Sequence, residues 1–407
     1  MANSNLSNAK NAKNDEFYTQ YGDIQKEIEA YLDSNPDVFR GKVIYCNCDD
    51  PFESNFFRYF VLNFNKLGLK QLITTSYKPS PVANTQLGLF GDDKTLTKSK
   101  GRPKITANKF IINEVRDIDG DGEFNMKDVA KQLKANKHNE WTPLDGDGDF
   151  RSDECINLLK QSDIVITNPP FSLFREYVKQ LFDYNKRLVI IGNMNAITYK
   201  EIFPLIKANR LWLGATGNGS DMVFAVPNGA EIAESDRQKA ARLGYVGDYT
   251  RLGNSCWFTN PDHRRRHKPL PLMTRADIIK FSTKKPFEKY DNYNAMEISF
   301  VKNIPSDYDG VMGVPISFLD KYNPDQFEIL GATQRGCHNE VPDTKKYDDY
   351  WEVRQNGKKT GSSGGKTNEN ANLVGNDGKK NYFINKEGRI IQSAYQRIFI
   401  RHKKKIK

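Results

Sequence analysis

The sequence predicts an α/β protein in which an open sheet carries helices on both faces and is followed by an α+β region. Three observations predict it. Short apolar runs such as Val43 to Cys46, Ile164 to Ile166 and Leu188 to Ile191 read as strands covered on both faces, as parallel strands are. The first two end on polar turns, and apolar residues at helical spacing follow each: Phe56, Phe57, Phe60, Val61 and Phe64 after one, and Phe174, Tyr177, Val178, Leu181 and Phe182 after the other. From about Asn260 this alternation gives way to arginine, lysine, proline and asparagine interleaved with aromatics.

The chain has 407 residues, room for two domains, and its 38% hydrophobic content supplies a core. Aliphatic runs reach about four residues, far short of the roughly twenty that span a bilayer. The polar N-terminus also lacks the apolar region of a signal peptide, so a cytoplasmic location with no membrane partner is expected. Cys46, Cys48, Cys155, Cys256 and Cys337 form no Cys-x-x-Cys pair and are expected to be reduced. The formal net charge of +10 favours a polyanionic partner. Basic clusters at Lys98 to Lys104, Arg264 to Lys268, Lys358 to Lys359, Lys379 to Lys380 and Arg401 to Lys407 point to nucleic acid, although a solvated surface explains any single one.

In chain order, residues 1–13 are rich in Asn, Ala, Ser and Lys without periodicity and read as a flexible tail. Asn14 to Thr19 then precedes a helix with Ile24, Ile28, Tyr31 and Leu32 on one face. Val43 to Cys46 is the first strand, ending in the polar turn Asn47-Cys48-Asp49-Asp50-Pro51. A nucleoside-binding fold places its ligand at such a turn. The usual Gly-x-Gly phosphate fingerprint is missing from it, and an Asp-Pro turn between core elements is the plainer alternative. Gln71 to Ser76 is the second strand. It ends in Thr74, Thr75, Ser76 and Tyr77, with no acid where dinucleotide folds hold ribose hydroxyls, and the ribose partner stays unassigned.

An insertion spans about 78–145. Its Lys100-Gly101-Arg102-Pro103-Lys104 resembles minor-groove AT-hook peptides, with a solvated loop as the plainer alternative. Phe110 to Val115 reads as a short strand. Asp117, Asp119, Asp121, Gly122, Phe124 and Asp128 then fall at positions one, three, five, six, eight and twelve of a calcium loop, with Asp in place of the usual bidentate Glu at the last. A structural calcium ion is one reading and a metal-free Asp/Gly turn the other. Asp145 to Phe150 lacks glycine at its sixth position and is a poor second loop. A helix over Cys155 to Gln161 follows it.

The strand Ile164 to Ile166 stops on Asn168-Pro169-Pro170-Phe171, before a helix for which Ser172 is the expected N-cap. Ligands of open α/β sheets gather at the carboxyl ends of strands. Two prolines stiffen the turn and remove backbone donors, leaving carbonyl oxygens. The amide oxygen of Asn168 and the carbonyl of Pro169 can both accept from one exocyclic amine, drawing its lone pair out of conjugation and aiming it at a bound methyl donor. Phe171 can stack on a flipped base. The alternative is a proline-rich turn with no chemistry.

Asn168 to Phe171 after an apolar strand resembles the catalytic motif of amino-methylating, S-adenosylmethionine-dependent methyltransferases. The string Cys46-Asn47-Cys48-Asp49-Asp50-Pro51, with Ser54-Asn55-Phe56 after it, resembles the corresponding stretch of the EcoRI-type adenine-specific DNA methyltransferases. The resemblance implies a Rossmann-like methyltransferase sheet over residues 14–260 and S-adenosylmethionine as the donor. It implies that Phe17 or Tyr18 covers the donor, that Thr19 holds its carboxylate, and that Cys46, Asn47, Asp49, Asp50 and Pro51 line its site. Gly148 to Ser152 matches the family stretch in which Asp149 would accept from the donor's adenine amine and Phe150 would lie against that ring. The acceptor is then N6 of an adenine flipped out of double-stranded DNA, with Asn168, Pro169, Pro170 and Phe171 as the catalytic group. A cognate restriction endonuclease, with no direct complex, belongs to the same expectation. The rivals are methylation of RNA or of a protein glutamine, and a non-enzymatic DNA-binding or calcium-binding module.

Further strands are expected at Leu188 to Ile191, Leu211 to Leu213, Met222 to Val226 and Ser255 to Thr259. Residues 261–407 mix cations with Tyr290, Tyr293, Phe300, Tyr322, Phe327, Tyr347, Tyr350 and Trp351 up to a closing strand at Arg397 to Ile400, which suits a DNA target-recognition region. Gly361 to Thr367 is one residue too short between its glycines for a phosphate loop and reads as a mobile loop.

Overall fold

The computed structural model describes residues 18–48, 54–77, 107–135, 137–216, 222–226, 232–282, 286–333 and 340–403. The chain divides into two compact units at Arg264/Arg265, with Ile197–Leu211 belonging to the second.

The first unit begins with β1 (Tyr18–Thr19), α1 (Tyr21–Ser34), β2 (Val43–Asn47), α2 (Asn55–Leu62), α3 (Phe64–Leu67), β3 (Gln71–Thr75) and β4 (Asn108–Ile112). It continues through α4 (Met126–Ala135), β5 (Glu140–Pro143), α5 (Asp153–Gln161), β6 (Ile164–Thr167), α6 (Phe174–Asp183) and β7 (Arg187–Asn193). After α7 (Phe203–Lys207) of the second unit come β8 (Trp212–Leu213), β9 (Val223–Ala225), α8 (Glu234–Arg242), β10 (Tyr249–Arg251) and β11 (Ser255–Thr259).

An eight-stranded sheet runs in the order β5-β4-β3-β2-β6-β7-β11-β8. Its four central strands, β3, β2, β6 and β7, are parallel, and antiparallel neighbours flank them on both sides. Every residue of β2 and β6 is buried, as continuous apolar runs in a covered parallel strand require. The main core joins Ile44, Cys46, Ile164, Ile166, Val189 and Ile191 to Phe56, Phe57 and Phe60 of α2 and to Ile24, Ile28 and Tyr31 of α1. A second sheet, β1-β9-β10, holds the first described residues by antiparallel pairing, with Tyr18 opposite Ala225 and Thr19 opposite Phe224.

Residues 108–143, inside the expected insertion, add two strands and a helix to the main sheet. The helix after the Pro-Pro turn differs from expectation. A 3₁₀ turn over Phe171–Leu173 intervenes, so α6 begins at Phe174 with Leu173 and not Ser172 at its N-cap, and no side chain caps it. The hydrogen bond from Leu173 N to Pro170 O, at 3.0 Å, closes that turn and uses the second proline's carbonyl.

The second unit holds α9 (Arg275–Phe281) and two five-stranded sheets. With β12 (Phe287–Lys289), β13 (Met296–Ile298), β14 (Met312–Pro315), β15 (Phe327–Ala332) and β21 (Arg397–His402), one sheet runs β12-β13-β14-β21-β15. With β16 (Trp351–Val353), β17 (Lys359–Ser363), β18 (Asn372–Val374), β19 (Tyr382–Ile384) and β20 (Ile390–Ser393), the other runs β17-β16-β19-β20-β18. Most of these strands are three to five residues long, so aromatics supply the small cores, Tyr290, Tyr293 and Phe399 in one and Tyr347, Tyr350 and Phe383 in the other. Gly361 to Thr367 is no mobile loop: it is the end of β17 and a 3₁₀ turn, with Gly364 so close to Tyr350 that a Cβ would overlap it. Two arginines of the Arg264 to Lys268 cluster are engaged within this unit, Arg265 with Asp320 and Arg266 with Asn209. Among the described residues the four cysteines are unbridged, and no helix is long and apolar enough to cross a membrane.

Candidate active site at the carboxyl ends of the parallel strands

From β2 the chain crosses to β3 on one side and later returns to β6 on the other, so the strand order reverses between β2 and β6. A crevice opens outside the carboxyl ends at such a point. Asn47 ends β2 there and is tied to both neighbouring elements. Thr167 Oγ1, at the end of β6, donates to the Asn47 carbonyl, and Tyr177 OH of α6 donates to Asn47 Oδ1. The next residue, Cys48, has φ of 71°, a left-handed backbone that a side chain disfavours. Such a turn persists only where its surroundings enforce it.

The segment Gly148 to Arg151 is brought to the same end. Gly148 has φ of 79°, and a Cβ there would overlap the Ser76 carbonyl just beyond β3, so only glycine permits this approach. Phe150 meets Tyr177 edge-on with centroids 5.0 Å apart, and its carbonyl accepts from Gln180 Nε2 at 3.0 Å. Arg151 bridges to Glu176 of α6 at 3.2 Å and forks onto Asp149 at 2.6 and 2.9 Å. The Arg151 side-chain hydrogen bonds hold the Asp149 carboxyl below its ordinary value. Asp149 is therefore a charged, acceptor-only group at neutral pH.

On the other flank, Asn55 at the start of α2 donates from Nδ2 to the Thr19 carbonyl at 2.8 Å, and Ser54 Oγ caps that helix through Phe56 N and Phe57 N. This sets β1 beside the start of α2. Thr19 Oγ1 is buried with no hydrogen-bond partner among the described residues. Cys46 points into the main core and contributes packing. Phe17, Asp49, Asp50 and Pro51 lie outside the described residues. Asn168 and Pro169 are buried, Pro170 and Phe171 half-buried, and the Phe171 ring packs against the rim of the main core. The structure thus gathers Asn47, Asp149, Phe150 and Asn168 to Phe171 at one end of the sheet and sets Thr19 against α2.

Sequence reasoning assigned no site role to Tyr177, Gln180, Asn55 or Glu27. Tyr177 reads as a core position at helical spacing, and only its hydroxyl, which a phenylalanine would lack, hints at more. Glu27 of α1 is wholly buried and accepts four hydrogen bonds, from Tyr31 OH at 2.7 Å, Ala215 N at 2.7 Å, Thr216 N at 2.8 Å and Thr216 Oγ1 at 2.5 Å. It pins the backbone that leaves β8, a strand parallel to β7 through β11, at the carboxyl-end rim of the sheet. Burial pushes its carboxyl up, against the pull of those donors.

The acidic loop falls elsewhere. β4 runs antiparallel to β3, so the chain leaving Ile112 emerges at the opposite end of the sheet from Asn47 and Asn168. Carboxylate oxygens of Asp117, Asp119 and Asp128 lie within 4.8 Å of one another, while Asp121 stands outside that group and caps Glu123 N. Asp128 accepts from Ile118 N and Asn125 N, and Asp119 pairs with Lys131 at 2.8 Å.

Comparison with known proteins adds the following. The profile of a family described as adenine-specific methyltransferase EcoRI matches residues 5–403. The chain is 42% identical to the Type II methyltransferase M.EcoRI of Escherichia coli over 328 residues, 80% of this chain and 88% of that protein. It is 36% identical to the Type II methyltransferase M.MpnI of Mycoplasma pneumoniae over 79% of this chain and 83% of that one. A Type II methyltransferase of Mycoplasma genitalium, M.MgeORF184P, is 34% identical over 79% and 84%. No solved structure matches the chain.

Proposed function

The chain belongs to the EcoRI family of adenine-specific methyltransferases, and on that premise we propose a site-specific DNA methyltransferase that methylates N6 of an adenine flipped from duplex DNA. One observation carries the assignment of its site. Asn168 to Phe171 follows β6 at the point where strand order reverses, buttressed by the Asn47 hydrogen bonds of Thr167 and Tyr177.

In this reading the eight-stranded sheet is the Rossmann-like methyltransferase sheet, and the sheets after residue 264 form the target-recognition region. The family implies S-adenosylmethionine, which supplies an electrophilic methyl group on sulfur. The residues present fit it: a buried, unpartnered Thr19 hydroxyl for its carboxylate, an ionised Asp149 for its adenine amine, and the Phe150 edge beside that ring. Asn168 Oδ1 and Pro169 O accept the two N6 hydrogens. The nitrogen lone pair would thereby be localised toward the methyl group that the bound donor would supply; the new nitrogen–carbon bond would replace the donor's carbon–sulfur bond, and the extra proton on N6 would pass to water. Phe171 stacks on the flipped base, offsetting an extrusion that costs a few kcal/mol. A restriction-modification role, with a separate endonuclease that cuts the same site, completes the proposal.

Asn168→Ala is expected to abolish transfer while leaving donor binding intact, because it removes an acceptor that acts on N6 alone. Single-turnover transfer and calorimetric titration of the donor, measured on the same preparation, separate the two. Substantial retained transfer would remove Asn168 from the mechanism.

For the loop Asp117 to Asp128 we propose a structural calcium ion, held by Asp117, Asp119 and Asp128 once Lys131 gives up Asp119. Calcium is then expected to raise the melting temperature without changing the turnover of saturated enzyme. An unchanged melting temperature at saturating calcium would contradict this.

A further inference from the structure

We propose that Tyr395 is a base-stacking contact of this chain to DNA, an inference that rests on the DNA methyltransferase function above. Tyr395 lies in the short link between β20 of one sheet and β21 of the other, and the residue is 76% exposed. The backbone beneath it is fixed on both sides. Ala394 N donates to Ala371 O at 2.8 Å, and Arg397 N donates to Thr333 Oγ1 at 2.7 Å. From below, Arg397 Nη1 donates to the carbonyls of Tyr395 at 3.1 Å and Gln396 at 3.2 Å.

Arg397 is itself locked. Its Nη2 and Nε bond Glu297 at 2.6 and 2.9 Å, Tyr290 OH also donates to Glu297, and the two charged side chains are 9% and 4% exposed. A buried ion pair is poor value as stability alone, because desolvation offsets most of the attraction. Here the pair aims the remaining edge of the guanidinium at the two carbonyls that set the Tyr395 backbone. The ring so presented has Lys380 Nζ 4.6 Å from its centroid, and that ammonium is anchored on the Ser393 carbonyl.

An exposed aromatic on a pinned backbone, with a fixed cation over one ring face, suits one nucleotide: the other face is left for a planar base, and the ammonium is set for its phosphate. Because the frame is already ordered, little conformational freedom is lost when the base docks. The net charge of +10 draws the polyanion to the surface, and the ring supplies the contact.

The test compares the full chain with Tyr395→Ala and Tyr395→Phe, using plasmid DNA as substrate. Measured for each are the KM for DNA, kcat, the affinity for S-adenosylmethionine and the melting temperature. Y395A is expected to raise the KM for DNA about 5- to 150-fold, the range for loss of one base stack, with donor affinity and melting temperature unchanged. Y395F should behave as the unmodified protein, since the ring remains. A KM for Y395A equal to that of the unmodified chain overturns the proposal, as does a Y395F variant as defective as Y395A. Unmodified protein that transfers no methyl to the plasmid overturns the underlying function and this contact with it.

Discussion

Asn47 shows how few atoms hold the site together: its carbonyl and its side-chain oxygen each receive a hydroxyl, from β6 and from α6. Tyr177→Phe keeps the ring against Phe150 but deletes the donor, leaving a buried oxygen unmet. It is expected to cost about 1–3 kcal/mol by denaturant unfolding and to weaken donor binding. An unaltered unfolding midpoint would show that the bond contributes nothing. Asp149 carries a pH signature. Its hydrogen bonds from Arg151 depress the folded-state value below the ordinary 3.8, so the folded form releases this proton more readily than the unfolded chain. The stabilisation is full above that ordinary value and disappears as pH falls through the depressed one. The melting temperature of Asp149→Asn should therefore lie below that of the unmodified chain at neutral pH, with the gap closing in strong acid. A gap that persists there would mean the carboxylate charge is irrelevant. Glu27→Ala would strand four donors, one buried and three part-buried, and is expected to cost about 3 kcal/mol, read by the same unfolding measurement.

Among the elements, α6 is the lever that joins the turn Asn168 to Phe171 to the segment Gly148 to Arg151, through Tyr177, Gln180 and Glu176. Its inner face packs on β7, where a Cβ at Gly192 would overlap the Phe174 ring. Gly192→Ala is therefore expected to displace the helix and cost about 1–3 kcal/mol, with a loss of kcat as the turn shifts. Unchanged kcat and stability would show that the helix accommodates the methyl. These elements were legible in the sequence because each strand is a continuous apolar run and each helix an apolar stripe; β2, β3, β6 and β11 fall within a residue or two of expectation. The Ser172 cap was misplaced because the prolines close a 3₁₀ turn first, which spacing does not encode. The strands of the second unit were mostly invisible. Three-residue strands such as Phe287–Lys289 and Asn372–Val374 are too short to carry periodicity and owe their existence to the strands they pair with, Met296–Ile298 and Ile390–Ser393. The polar Lys359–Ser363 is paired in the same way, against Trp351 and Val353. The hydrogen bonds of Tyr177 to Asn47 and of Glu27 to Thr216 leave no sequence pattern, since the partners lie 130 and 189 residues away.

For the whole molecule, the charge pattern proved a coarse guide. Several expected basic contacts are engaged internally, Arg265 with Asp320, Arg401 with Glu328 and Lys359 over the Trp351 ring, so a count of cations overstates the surface left for DNA. Electrostatic binding still predicts that DNA affinity falls linearly with salt on logarithmic axes, with a slope of about −0.9 per phosphate contacted. A flat dependence between low and physiological salt would rule out a phosphate-tracking surface. At this scale the proposal is that the turn Asn168 to Phe171 directs a methyl group to N6 of adenine in duplex DNA. The measurement that tests it most directly is incubation of mixed-sequence duplex DNA with labelled S-adenosylmethionine, digestion to nucleosides and identification of the methylated base by mass spectrometry. Label is expected in N6-methyladenine alone, and none with Asn168→Ala. Label in another nucleoside, or none in DNA while the protein binds the donor, would contradict it.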